Sequence, residues 1–224
     1  PSDSSTRSLV LKQIATPSYT LIVKKDCPTC ALLEPVFSEL SSQFAGKLSV
    51  YVQDDPTFPA SIKDPIDDSQ LEFSYKNAIE IVPTLIKNED TGQSRIYGWD
   101  KQQWRDFTGI ETLGESLINF KPGCGSKTQD PGMAEILKLR FEKDFLQSRR
   151  VDLADAEDSL EACFDRGWSD GLPVVPPTPL RVARMLAGTE REPNEVIGKV
   201  PPDNQPCTVE KAAINAVLAG CKPE

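Results

Sequence analysis

Tyr19-Thr20-Leu21-Ile22-Val23-Lys24-Lys25-Asp26-Cys27-Pro28-Thr29-Cys30-Ala31-Leu32-Leu33-Glu34-Pro35-Val36-Phe37 decides how the first half of the chain folds. Its opening run is β-branched, aromatic or aliphatic, as a buried strand requires, and from Pro28 the apolar spacing turns helical. Both cysteines therefore fall where a strand hands over to a helix. At that point Cys27 meets the unpaired N–H groups of a first helical turn, which favour an anion, and Cys30 stands one turn on, where it can close a disulfide. The outer sulfur can then attack a disulfide and the inner one can resolve the mixed intermediate, so the chemistry to expect is dithiol–disulfide exchange. The same spacing also serves as half of a zinc site or as an inert surface pair.

Context comes from Ile79-Glu80-Ile81-Val82-Pro83-Thr84-Leu85-Ile86, an apolar run interrupted by a proline that would spoil a central strand. A cis Val82–Pro83 bond is expected here. It would turn the Val82 backbone outward, leaving Val82 and Pro83 to dock an extended peptide beside the two cysteines.

Cys27-Pro28-Thr29-Cys30 after a strand, Pro35 in the next helix, Val82-Pro83-Thr84-Leu85, then Lys87-Asn88-Glu89-Asp90 and Arg95-Ile96-Tyr97-Gly98 together resemble the thioredoxin superfamily. The resemblance covers roughly residues 15 to 118. It implies Cys27 as nucleophile, Cys30 as resolving thiol and Pro83 as the cis-proline. This chain has Pro28-Thr29 where typical members have Gly-Pro, Asp26 where they have tryptophan, and Leu21 where they bury an aspartate. Redox potential and partner choice follow those positions.

With 224 residues the chain is long enough for two ordinary domains. The fold expected is α/β, a thioredoxin-like central mixed sheet flanked by helices, followed by a smaller, mainly α-helical, Pro-rich segment. The expected division is an N-terminal extension at 1–14, a thioredoxin-like domain at 15–119 and a mainly helical domain or fragment at 120–224. A net charge of −9 argues against a nucleic-acid partner, which would need a basic stripe. The chain has no histidine, so every His-based triad, general base and metal site within it is excluded. No cofactor and no resident metal are expected. No run reaches the length of a membrane span. Only two of the six cysteines, at 27, 30, 124, 163, 207 and 221, have motif spacing, which points to a reducing, cytoplasmic compartment. Pro1 in place of an initiator Met leaves export open.

Along the chain, residues 1 to 7 read as frayed and Ser8–Ala15 as a short helix or strand. A helix is expected from about Pro28 to Phe44, kinked at Pro35 and ended by Gly46. Leu48–Val52 should be a strand beside the first, giving a βαβ unit. Residues 54–68 read as an acidic, proline-rich loop, with Asp67 or Asp68 capping a helix to about Asn77. Thr84–Lys87 and Ser94–Gly98 form a hairpin, and Lys101–Thr108 a helix with Trp104 and Phe107 inward. Trp99 and Trp104 read as core.

Lys121-Pro122-Gly123-Cys124-Gly125-Ser126-Lys127 breaks the periodicity and reads as an exposed turn. Cys124 is a candidate second thiol or internal partner for Cys27, its anion helped by Lys121 and Lys127, beside the plainer reading of an incidental cysteine in a linking turn. Helices are expected over Met133–Phe145, Glu157–Phe164, Thr178–Leu186 and, capped by Thr208, Val209–Leu218, with a strand at Val196–Val200 and an extended packed stretch at Arg166–Thr178. Pro122-Gly123-Cys124-Gly125-Ser126-Lys127, Gly167-Trp168-Ser169-Asp170-Gly171-Leu172-Pro173-Val174-Val175-Pro176-Pro177 and Pro206-Cys207-Thr208-Val209-Glu210-Lys211 are similar to a thiol or selenol protein family called UGSC after its motif. Gly123-Cys124-Gly125-Ser126 resembles that motif loosely, and no role is carried over from it. The ending at Cys221-Lys222-Pro223-Glu224 reads as part of a longer protein.

The function these features imply is thiol–disulfide exchange with a protein or small-molecule disulfide or thiol, or with the chain's own second segment. Its rivals are a non-catalytic interaction module and a cysteine-based metal site.

Overall fold

A computed structural model describes residues 19–89 and 92–223. The extension at 1–14, the short element at Ser8–Ala15, and Asp90 and Thr91 of the hairpin turn lie outside the described residues. The chain divides into two compact units, Pro1–Thr128 and Gln129–Glu224. Residues 120–128, grouped with the second segment from sequence, fall in the first unit because their backbone pairs there.

In the first unit, strand β1 (Tyr19–Val23) is buried along its whole length. That follows from an unbroken apolar run, which only a strand covered on both faces can satisfy. The expected single helix is instead two, α1 (Pro28–Leu32) and α2 (Glu34–Gln43), separated at Leu33. Pro35 has no N–H for the ladder and its ring crowds the carbonyl four residues back, so the helix restarts with Pro35 in its first turn, where no donor is needed. β2 (Leu48–Val52) runs parallel to β1 with Leu21 opposite Val50, and β3 (Ile66–Asp67) adds two parallel residues within the acidic loop. α3 (Glu72–Lys76) is capped at Leu71, in left-handed backbone and without a capping side chain, rather than at Asp67 or Asp68; the Asp68 carboxylate, three residues earlier, accepts from the N–H groups of Phe73 at 2.9 Å and Ser74 at 3.0 Å.

β4 (Ile81–Val82) leads into a cis Val82–Pro83 bond, as the sequence implied, and then into the antiparallel hairpin β5 (Thr84–Glu89) and β6 (Gly92–Tyr97). Cis bonds at Phe58–Pro59 and Pro201–Pro202 were not foreseen. The result is a mixed α/β unit with a five-stranded sheet in the order β3-β2-β1-β5-β6, flanked by helices. β7 (Trp99–Asp100) precedes α4 (Lys101–Thr108), where the Asp100 carboxylate caps the helix by accepting from the Gln103 N–H at 3.0 Å. Trp99 and Trp104 are core residues, and their indole N–H groups donate to the carbonyls of Ile118 and Gly98. One cluster joins Leu21, Val36, Phe37, Leu40, Leu85 and Trp104, each such side chain contributing about 1.5–3 kcal/mol by leaving water. The unit closes with β8 (Phe120–Lys121), antiparallel to β7, and β9 (Cys124–Gly125), antiparallel to β4.

The regular structure of the second unit is mostly helix, α5 (Met133–Phe141), α6 (Glu161–Asp165), α7 (Pro179–Leu186) and α8 (Val209–Leu218), but more of its residues lie in irregular stretches than in these helices, so it is less helical than expected. Thr178 and Thr208 cap α7 and α8 through their hydroxyls. α5 stops four residues short of Phe145, and α6 starts after Asp158, whose carboxylate accepts from the N–H groups of Leu160 and Glu161. The expected strand at Val196–Val200, β10, pairs with β11 (Gln205–Thr208) as an exposed hairpin. Val182, Leu186, Val209 and Ala213 make a small core with Phe145 and Ile214. In the stretch 166–178, Val175 pairs with the Leu218 carbonyl, but Leu172 is exposed rather than packed. Among the described residues no helix is long and apolar enough to cross a membrane.

Candidate active site

Cys27 occupies the N-cap position of α1 in extended conformation, and its sulfur accepts from the Cys30 N–H at 3.3 Å. Both thiols are buried, Cys27 at 1% and Cys30 at 0% exposure. The Cys30 thiol, donating to Cys27, is the largest influence on it. Burial opposes ionisation, while the Cys124 thiol and the backbone N–H groups of Cys30 and Thr29 help hold Cys27 down to about 5. Burial pushes the Cys30 thiol far up, and the neighbouring Cys27 sulfur pushes it further. The pair is therefore asymmetric: one sulfur is a thiolate at neutral pH and the other keeps its proton.

The loop ahead of Cys27 is tied down by the acidic segment. The N–H groups of Lys25 and Asp26 donate to the Asp54 carboxylate at 2.8 and 2.9 Å, and Lys25 Nζ pairs with Asp55 at 2.7 Å. Burial pulls the Asp54 carboxyl upward, but the backbone donors of Asp26, Lys25 and Asp55 outweigh it and hold it below its ordinary value. Asp54 is thus an anchor, a role that the acidic, proline-rich composition of its loop does not signal. Lys25 spends its charge on Asp55 rather than on the Cys27 sulfur two residues on.

Val82, expected to present its backbone to a docked peptide, is already paired. Cys124 stands opposite Val82 and Gly125 opposite Ile81, and the Ser126 N–H extends the pairing to the Glu80 carbonyl at 2.8 Å. The Cys27 sulfur lies 3.7 Å from the Val82 oxygen and 2.7 Å from the Cys124 sulfur. Cys27, Cys30, Val82, Pro83 and Cys124 thus come together, and Cys124 is half-buried in a strand rather than in an exposed turn. Burial raises its pKa and its hydrogen bond with Cys27 raises it further. This corrects the expectation of an anion favoured by Lys121 and Lys127, since Lys121 Nζ reaches the Pro28 carbonyl instead.

Several residues that hold this segment carried no sequence signal. The Thr29 hydroxyl donates to the Pro122 carbonyl at 2.7 Å. Buried Gln53 donates to the Ser126 hydroxyl at 2.7 Å and accepts from the Lys127 N–H at 3.0 Å. Gly98 and Gly123 meet backbone to backbone: a Cβ on Gly98 would stand 2.6 Å from the Gly123 nitrogen. A Cβ on Gly123 would stand 2.8 Å from the Val82 oxygen and collide with Ile81 Cγ2. Among the described residues no group of three or more Cys, Asp or Glu side chains is disposed to hold a metal ion. No family model matches the chain, and no curated protein matches it.

Proposed function

We propose that the first unit is a thiol–disulfide oxidoreductase of thioredoxin-like architecture, working through Cys27 and Cys30. The observation that carries this reading is the asymmetry of the two thiols, with Cys27 held down to about 5 and Cys30 pushed up by burial. An attacking sulfur must be a thiolate, whereas a resolving sulfur must wait until the first is bonded. In the mixed disulfide the Cys27 charge is gone, which removes one of the influences raising Cys30 and eases loss of its proton. Cys30 then attacks the Cys27 sulfur, the substrate thiolate leaves, and the electrons of the dithiol have passed to the substrate. Because the lowered Cys27 thiolate stabilises the reduced form, the Cys27–Cys30 disulfide is drawn toward the oxidising end of the scale.

The test is a titration of the full chain in glutathione redox buffer, with alkylation and peptide mass mapping. A reversible Cys27–Cys30 couple supports the reading, and its midpoint sets the direction of electron flow. A pair that does not cycle moves the reading to a non-catalytic interaction module.

A further inference from the structure

Cys27 is the attacking thiol of the proposed reaction, yet it is 1% exposed and lies against the sulfur of Cys124. The backbone groups of Ile81 and Val82, which an extended peptide would need, are taken by the chain's own Cys124 and Gly125. The occupying segment is built in rather than loosely laid on. It is held by the Thr29 hydroxyl, by the buried Gln53 amide, by the Thr128 hydroxyl donating to the Ile79 carbonyl at 2.6 Å, and by the Gly98–Gly123 contact that admits no Cβ. Of the three residues Cys124 is half-buried, whereas Cys27 and Cys30 are buried.

We propose that Cys124 is the third thiol of the exchange, an internal partner through which Cys27 reaches low-molecular-weight disulfides while the strand Cys124–Gly125 keeps extended peptides off the dock. This rests on the oxidoreductase reading above. The Cys124 thiolate attacks one sulfur of the outside disulfide, and the first small thiolate leaves and takes up a proton. The Cys27 thiolate then attacks the Cys124 sulfur, forming a Cys27–Cys124 disulfide and expelling the second small thiolate, which takes a proton from water. Cys30 gives up its proton and attacks Cys27, the Cys27–Cys124 bond breaks, and Cys124 recovers the proton. In sum, two electrons pass from the Cys27/Cys30 dithiol to the small disulfide, giving two small thiols and a Cys27–Cys30 disulfide. A low-molecular-weight dithiol drives the same steps in reverse. The raised pKa of Cys124 makes the first attack the slow step below its ordinary thiol range.

The probe is glutathione disulfide, used on the full chain. In the Cys30→Ser variant the last step is blocked, so mass mapping after alkylation should find a Cys27–Cys124 disulfide. A Cys27–glutathione adduct with Cys124 free overturns the proposal. In Cys124→Ser, the rate of Cys27–Cys30 oxidation by glutathione disulfide should fall on the order of tenfold or more. A rate that is unchanged or faster overturns the relay. If wild-type protein forms no Cys27–Cys30 couple, the oxidoreductase reading fails and this inference falls with it. If the couple cycles but Cys30→Ser yields no Cys27–Cys124 bond, only the inference fails.

Discussion

The six cysteines split evenly between the two units, and the two sets live in different chemistry. Cys27, Cys30 and Cys124 face one another and backbone donors. In the second unit, Cys163 is buried with its thiol donating to the Ser159 carbonyl at 3.2 Å, Cys207 lies 3.8 Å from the Thr208 carbonyl, and Cys221 is exposed. A carbonyl acceptor stabilises a protonated thiol, whereas a thiol or N–H donor stabilises a thiolate. Burial accordingly leaves Cys163 shifted up, while Cys27, equally hidden, is shifted down. Burial raises Cys30, Cys124 and Cys163 alike, and Cys27 alone gathers enough thiol and N–H donors to be shifted the other way.

The largest effect that could break this contrast is a paired substitution. Cys27→Ser should abolish disulfide turnover, while Cys163→Ser, changing a sulfur with no thiol partner, should leave it unaltered. Turnover of a small chromogenic disulfide by both variants checks this, and any activity surviving in Cys27→Ser removes its role as nucleophile.

Next in size is access. Gly123→Ala forces a Cβ against the Val82 carbonyl and Ile81, so the strand must lift and Cys27 should be alkylated faster, on the order of tenfold or more, without any change to a thiol. Gly198, which has open space around it in the exposed hairpin of the second unit, gives the control: Gly198→Ala should not alter the rate. Peptide-resolved alkylation separates the two.

The pH dependence sharpens the comparison further. Cys27 is held down to about 5, so its thiolate is populated above that value and its alkylation rate should fall as pH drops through it. Cys163, raised above the ordinary thiol value, should begin to react only well on the alkaline side. The principal influence on Cys27 is the Cys30 thiol, so Cys30→Ala should move the Cys27 inflection upward. An inflection that stays in place would remove Cys30 as the cause.

How much of this was legible in the sequence depended on distance along the chain. The strand-to-helix placement of Cys27, the cis Val82–Pro83 bond, the hairpin of β5 and β6, and the caps at Thr178 and Thr208 all rest on neighbouring residues. Periodicity and capping read such features directly. Pro35 signals a break but not its kind: a proline inside a continuous helical pattern reads as a kink, whereas here it stands in the first turn of a new helix. The dock was harder. β4 and β9 are two residues each, too short for any period, and the Gly98–Gly123 contact joins residues far apart in sequence. Asp54 lies in a loop marked only by its acidic, proline-rich composition, and its two backbone donors come from residues far away in the chain. The glycines flanking Cys124 were read for freedom of dihedral, when the one at 123 serves close approach of two backbones.

Asp54→Ala should cost about 0.5–1.5 kcal/mol, since it removes the acceptor of the Lys25 and Asp26 N–H groups at exposed residues where water takes over part of the bonding, measured by denaturant unfolding. The same link carries a pH sign. The Asp54 carboxyl is lower folded than unfolded, so its contribution is present above the unfolded value and is lost as pH falls through the folded one. In Asp54→Ala that acid-limb loss should shrink.

The smallest effect tests whether the strand over Cys27 is held by single bonds or by fit. The Thr29 hydroxyl donates to the Pro122 carbonyl at 2.7 Å from a position 1% exposed, and the Ser169 hydroxyl of the second unit makes a bond of similar length, 2.6 Å, to the Leu172 carbonyl in exposed surroundings. Thr29→Val keeps the volume and removes only the donor, so the loss should be about 0.5–1.5 kcal/mol, because no water can replace the hydroxyl without opening the site. At Ser169, where water can replace it, Ser169→Ala should lose close to nothing. If Thr29→Val also quickens Cys27 alkylation in proportion to its stability loss, the strand lifts as a local unit hinged on that bond. If stability falls and alkylation does not change, Gly123, Gly98 and Gln53 hold the strand by shape and the Thr29 bond is a lesser part of the dock.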